Sequence, residues 1–164
     1  MLISWSTANH LLAYQWRTYT KRLDMGHNSP LKIFLLDDDL FCLKMYELHL
    51  GVLGHKDIKI YQTETACMND LSQQPDVIFL DEGMDMFNGP GILKKIKQFN
   101  PDIYVVFLCT LEKTQHAMNL LKYGAFDYII KGENDLDSMK KTLRRINEIK
   151  ELLNSRQNIL SGNN

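Results

Sequence analysis

The chain has 164 residues, 45% of them hydrophobic and 24% charged, with a formal net charge of −1. That suffices for one domain with a real core, and the near-neutral balance excludes a global field that would draw in nucleic acid or an anionic membrane. Cys42, Cys67 and Cys109 are widely spaced, and the five histidines show no HExxH pattern, so a disulfide framework and a zinc site are both disfavoured.

Residues 1–30 form a stretch of their own. Met1-Leu2-Ile3-Ser4-Trp5 lacks the basic start and long apolar run of a signal peptide. No apolar stretch approaches the roughly 20 residues that span a bilayer, so the expectation is a cytoplasmic protein with reduced thiols. Leu12, Trp16, Tyr19 and Leu23 recur at helical spacing behind Asn9, and Gly26-His27-Asn28-Ser29-Pro30 then breaks the pattern. Two readings stay open: a loosely attached extension with Met25 as an alternative start, or an aromatic helix that docks on a partner or a second copy.

From Leu31 onwards strands and helices alternate. An apolar strand at 31–36 runs into Asp37-Asp38-Asp39, with Asp39 placed to cap a helix over 40–50 that Gly51 and Gly54 stop. A short strand follows at 57–61, then a helix from Thr63 to Gln73. The apolar strand 77–80 ends in Asp81, and Asn88-Gly89-Pro90-Gly91 opens the next helix, with Asn88 as cap. Strand 103–108 leads to a helix over 113–123 stopped by Gly124. Strand 127–130 ends in Lys131-Gly132. A long helix from about 134 to 156 carries an apolar face of Leu136, Met139, Leu143, Ile146 and Leu153. Five such units with near-continuous apolar central strands predict an α/β fold, a parallel sheet with helices on both faces. The predicted layout is an extension over 1–30, one domain over 31–153, and a helix end with a disordered tail over 154–164.

Three of these strands end in charge. In an open parallel sheet ligands bind beyond the carboxyl ends of the strands, so Asp37, Asp38, Asp81 and Lys131 are candidates for one site. At about 4 Å and an effective dielectric near 20, two ionised carboxylates repel by roughly 4 kcal/mol. A divalent cation relieves that repulsion, and Mg²⁺ in particular takes hard oxygen ligands and leaves positions for phosphate oxygens. A carboxylate beside Mg²⁺ and a lysine is also a competent nucleophile at phosphorus. Asp81, on the strand nearest the middle, suits that role, with Lys131 facing the phosphoryl oxygens.

The order of these elements resembles a response-regulator receiver domain, the phospho-acceptor part of two-component signalling, from Leu31 to about Glu151. Leu35-Leu36-Asp37-Asp38 is similar to the family's acidic pair, Pro75 to Met84 to its acceptor strand and turn, and Gly124 to Lys131 to the segment with its switch aromatic and lysine. The resemblance implies a flavodoxin-like doubly wound sheet of order 2-1-3-4-5. It implies phosphorylation of Asp81, and Mg²⁺ held by Asp37, Asp38, Asp81 and the Gly83 backbone carbonyl. Phosphate contacts would come from Lys131 and from Cys109 or Thr110, and Tyr128 with Cys109 would form the switch. Its implied partners are a sensor histidine kinase or phosphotransfer protein and a downstream protein target, with a homodimer through the last two helices and fifth strand as a further option. The charge run Lys140-Lys141 with Arg144-Arg145 reads as a solvated helix face. With no further domain after the long helix, direct DNA binding and membrane contact are not expected.

The departures are specific. Cys109 stands where the family has Thr or Ser, and a thiol is a weak hydrogen-bond donor. Thr110 could substitute only if the strand end shifts by one residue. Asp85 and Gly132 replace customary prolines, the second predicting a mobile last loop, and Leu111 flanks the site, leaving few polar groups to orient water. Slow self-dephosphorylation is therefore expected. Two other functions fit less of the sequence. One is a receiver-like module that works without phosphorylation. The other is a haloacid-dehalogenase-like phosphatase with Asp37 as nucleophile and Asp39 as acid/base, which leaves Asp81 unexplained.

Overall fold

A computed structural model of the chain describes residues 30–84 and 88–161, with side chains up to residue 159. The helix expected within residues 1–30, Asp85, and the tail from Gly162 lie outside the described residues. The elements alternate as expected: β1 (Ile33–Leu36), α1 (Leu40–Val52), β2 (Ile58–Tyr61), α2 (Glu64–Asn69), β3 (Val77–Asp81), α3 (Gly89–Phe99), β4 (Tyr104–Cys109), α4 (Thr114–Lys122), β5 (Asp127–Ile130) and α5 (Asp135–Ser161). The five strands are parallel and ordered β2-β1-β3-β4-β5, the flavodoxin-like arrangement.

Because side chains alternate along a strand, each central strand feeds two cores. Phe34, Leu36, Ile78, Leu80, Val105 and Phe107 face α2, α3 and α4, where they meet Cys67, Ile92, Leu93, Ile96 and Leu120. Ile33, Leu35, Val77, Phe79, Val106, Leu108 and Ile129 face α1 and α5, meeting Leu43, Tyr46, Leu50, Met139, Leu143 and Ile146. This explains why the central strands read as unbroken apolar runs: every position but the partly buried Tyr104 is buried on one face or the other. Burying a Leu or Phe side chain stabilises the fold by about 1.5–3 kcal/mol.

Local signals set the helix starts. Asp39 accepts from the Phe41 and Cys42 amides, Thr63 from Ala66, and Asn88 from Gly91, each satisfying a donor that the helix leaves open. Gly124 ends α4 at φ +100°, a conformation that costs glycine little.

Several boundaries differ from expectation. The helix predicted from Thr63 to Gln73 is one short α-helix followed by a 3₁₀ turn at Leu71–Gln73, closed by Gln74 at φ +53°. The helix predicted over 113–123 begins instead with a 3₁₀ turn at Leu111–Lys113. The fourth strand includes Cys109. α5 runs on to Ser161, and Leu153, expected on its core face, is 52% exposed. A 27-residue helix is about 40 Å long, while the strands it covers have four to six residues, about 20 Å at most. Its last turns therefore pass beyond the sheet.

Candidate functional site

The register of the sheet builds the site. Leu36 pairs with Leu80 across β1 and β3, so the next residues, Asp37 and Asp81, stand level at the carboxyl end. Cys109 pairs with Ile130 across β4 and β5, which places Lys131 one position further out. From β5 to β3 is about 10 Å, within reach of an extended lysine crossing the end of β4.

Lys131 makes that crossing. Its Nζ lies 2.7 Å from Asp37 Oδ2 and 2.7 Å from Asp81 Oδ1. Both carboxyls are buried, at 1% and 4% exposure, and the lysine side chain is 22% exposed. The remaining oxygens are occupied as well: Asp37 Oδ1 accepts from the Asp39 amide at 2.8 Å, and Asp81 Oδ2 accepts from the Gly83 amide at 2.9 Å. Asp38 is exposed beside them, and one carboxylate oxygen from each of Asp37, Asp38 and Asp81 falls within a cluster 4.8 Å across.

The electrostatics follow from burial. Loss of water raises the pKa of Asp81 above the usual carboxylate value despite the opposing pull of Lys131. Burial acts to lower Lys131, but its hydrogen bonds and attraction to Asp37 and Asp81 outweigh that, and the ammonium is held more firmly charged. Asp37 and Asp81 thus share one cation with the exposed Asp38 beside them, leaving a negative surplus in a partly desolvated cup. A hard divalent ion fits such a donor set. The approach is also tight, because a Cβ on Gly83 would sit 2.8 Å from Asp81 Oδ2.

The other candidates are placed less uniformly. Gly83 is in the cluster through its amide. Cys109 is the buried last residue of β4, and Thr110 lies outside the strand and exposed, so the one-residue shift that would bring Thr110 into the strand does not occur. Burial first, then Glu82 and Asp81, pushes the Cys109 thiol up to about 11, which makes it neutral and unreactive at neutral pH. Leu111 is exposed. Tyr128 is half-buried and packs against the α3/α4 core. Asp39 is committed to the α1 cap through Phe41 and Cys42, so it is unsuited to the acid/base role of the phosphatase alternative.

The loop after Lys131 is more restrained than a glycine-for-proline change suggests. Gly132 sits at φ +150°, closed to proline, and its amide donates to Asp135 Oδ2 at 3.3 Å. Tyr46 of α1 donates to the same oxygen at 2.9 Å. Both groups are buried, so the loop is tied to α1 and to the start of α5.

Sequence reasoning missed Glu82, Lys113 and His116. Glu82 is buried behind Asp81, in contact with His116 on α4, and its carbonyl accepts from Lys113 Nζ at 3.0 Å. A glutamate following the acceptor-like aspartate has no periodic signature, and its partners lie 31 and 34 residues away.

With this geometry in place, comparison with known proteins is decisive for the family. The model of the response regulator receiver domain matches residues 33–144. The chain belongs to the response regulator receiver domain family. The receiver is similar to the probable transcriptional regulator ycf27 of Guillardia theta, 26% identical over 129 residues that cover 77% of this chain and 50% of that protein. It is similar also to the transcriptional regulatory protein ZraR of Escherichia coli strain K12, 28% identical over 122 residues covering 74% of this chain and 27% of the relative. The chain thus spans about half and about a quarter of these relatives' lengths.

Among solved structures, the response regulator receiver domain protein from Clostridium thermocellum superposes with a TM-score of 0.68 at 24% identity, covering 75% of this chain and 98% of the other. The Thermotoga maritima response regulator DrrB, an OmpR/PhoB homolog, gives 0.63 at 27% identity, covering 73% and 54%. The receiver is a signalling domain of two-component systems. Among the described residues no helix is long and apolar enough to cross a membrane.

Proposed function

We propose that this receiver is a phosphorylatable switch whose acceptor is Asp81. The observation that carries the reading is the Lys131 ammonium held 2.7 Å from both Asp37 and Asp81 within a cluster of three carboxylates. In the transfer an Asp81 oxygen bonds to phosphorus as the phosphorus–nitrogen bond of a donor phosphohistidine breaks. The imidazole nitrogen keeps the electron pair and takes up a proton. Lys131 neutralises charge on the moving phosphoryl group. Asp37, Asp38, Asp81 and the Gly83 carbonyl would hold Mg²⁺, which when bound supplies charge neutralisation at the phosphoryl oxygens.

The domain occupies residues 31–153, with 1–30 as an extension and 154–164 as the helix end and tail. Its donor is a sensor histidine kinase or phosphotransfer protein in the cytoplasm, and its output is contact with a protein target. Association with a second copy through α4, β5 and α5 is one form that contact could take. Tyr128 and the end of β4 at Cys109 respond to the phosphoryl group, and Cys109 and Lys131 border it. Exposed Leu111 and the inert Cys109 thiol leave little to orient an attacking water, so the adduct is long-lived.

The test is intact mass after treatment with acetyl phosphate, with and without Mg²⁺. One phosphoryl group that requires Mg²⁺ and disappears in Asp81→Asn is the expected result. The absence of any adduct in the wild type favours the second reading, a module that signals without phosphorylation, which Cys109 at the end of β4 supports.

A further inference from the structure

Glu82 is 3% exposed, directly after the proposed acceptor. A carboxylate at that depth is costly unless it is paired. One of its oxygens contacts Nδ1 of His116, while Oε2 is buried with no hydrogen-bond partner among the described residues. Its backbone is held as well: the amide donates to the Leu108 carbonyl at 2.8 Å, and the carbonyl accepts from Lys113 Nζ at 3.0 Å. Lys113 ends the 3₁₀ turn before α4, and His116 lies in the first turn of α4. Polar links therefore join the end of β3 to the start of α4, across the tip of β4.

We propose that Glu82 is a positioning residue that carries the state of Asp81 to α4, through the clasp it forms with Lys113 and His116. The proposal rests on Asp81 being the phosphoryl acceptor. A phosphoryl group there raises the negative charge at Asp81 from −1 for the free carboxylate to about −1.5 to −2, one residue from a buried carboxylate that is only half satisfied. Asp81 pairs with Leu108 across β3 and β4, the Glu82 amide donates to the Leu108 carbonyl, and both carboxyls act on the next residue's thiol, Cys109, so three buried groups share one poorly screened patch. A neutral thiol cannot offset the new charge, because it is a weak donor. The repulsion falls on Glu82 and loosens its hold on His116. His116 is half-exposed on the solvent side of α4, so the first turn of α4 is freed toward water.

Hydrogen exchange of the α4 amides, Thr114–Lys122, tests this on the full chain. The proteins compared are wild type, Glu82→Gln, His116→Ala and the double variant. Without phosphorylation each single variant should exchange about tenfold faster across α4, and the double no faster than either single, since both remove one contact. With acetyl phosphate and Mg²⁺ the wild type should accelerate, while Glu82→Gln takes up as much phosphoryl group by intact mass yet shows no further change. A Glu82→Gln protein with wild-type exchange, additive single variants, or a full phosphorylation response in Glu82→Gln would each overturn the clasp. A wild type that takes up no phosphoryl group overturns the transmission together with the acceptor reading. Mass reports that failure separately from exchange.

Discussion

The two ends of the sheet are both charged, and they are built on opposite principles. At the amino ends of the strands, Lys32 lies 3.5 Å from Asp57 and its amide donates to Asp76 Oδ2 at 2.8 Å, while Lys150 of α5 contacts Asp76. Two lysines meet two carboxylates there, all of them partly exposed. At the carboxyl ends Lys131 pairs with two buried carboxylates, Asp37 and Asp81, and the exposed carboxylate of Asp38 stands beside them. The balanced end closes the fold. The unbalanced end keeps a negative surplus that a divalent cation can offset, and that surplus, more than any single residue, marks the site.

Substitution of the lysines should break the comparison open. Lys131→Met strands Asp37 and Asp81 without their cation, and losing one partner of a buried ion pair costs about 3–5 kcal/mol. Urea unfolding of metal-free protein should show a loss of that order, and Mg²⁺ should restore more stability to the variant than it adds to wild type. A loss below about 1 kcal/mol would mean that Lys131 does not hold the cluster.

Gly83→Ala probes the same end more finely. The added Cβ would press on Asp81 Oδ2 at 2.8 Å, displacing the acceptor oxygen. Misplacing a reacting atom by about 1 Å can cost up to about a hundredfold in rate. Phosphoryl uptake from acetyl phosphate should slow by about ten- to a hundredfold, followed by mass against time, with little change in thermal stability. An unchanged rate would show that Asp81 Oδ2 is free to move.

Much of this was legible in the sequence, for identifiable reasons. Asp37, Asp81 and Lys131 stood out because each ends an apolar run, and parallel pairing leaves such residues at one edge. Asp39, Thr63 and Asn88 were readable as caps because their preference is local. Leu153 was misplaced because helical periodicity continues after the surface that it covers has ended. Tyr46 with Asp135, and Glu82 with His116, could not be read, since each pair is 89 or 34 residues apart and depends on which helices become neighbours.

The balanced end carries a pH signature of its own. His55 is buried, with Nδ1 accepting from the Leu31 amide at 3.4 Å, and burial lowers its pKa below 6.5. The unfolded chain therefore binds a proton that the fold resists, so stability falls as pH drops below about 6.5. The slope from this one group is at most about 1.4 kcal/mol per pH unit. Between pH 7 and 5, His55→Gln should lose less stability in urea titrations than wild type. Equal slopes would remove His55 as a contributor.

The smallest effect is expected from Lys150→Met. Its ion pair with Asp76 is partly exposed, Asp76 keeps the Lys32 amide, and exposed pairs contribute up to about 1 kcal/mol. A loss comparable to that of Lys131→Met would erase the distinction between the two ends.

Calorimetric titration of the full chain with Mg²⁺ addresses that distinction most directly, using Asp38→Asn at one end of the sheet and Asp76→Asn at the other. A single Mg²⁺ site that is lost in Asp38→Asn and retained in Asp76→Asn is the predicted result. Absence of binding in the wild type, or equal loss in both variants, would contradict the account.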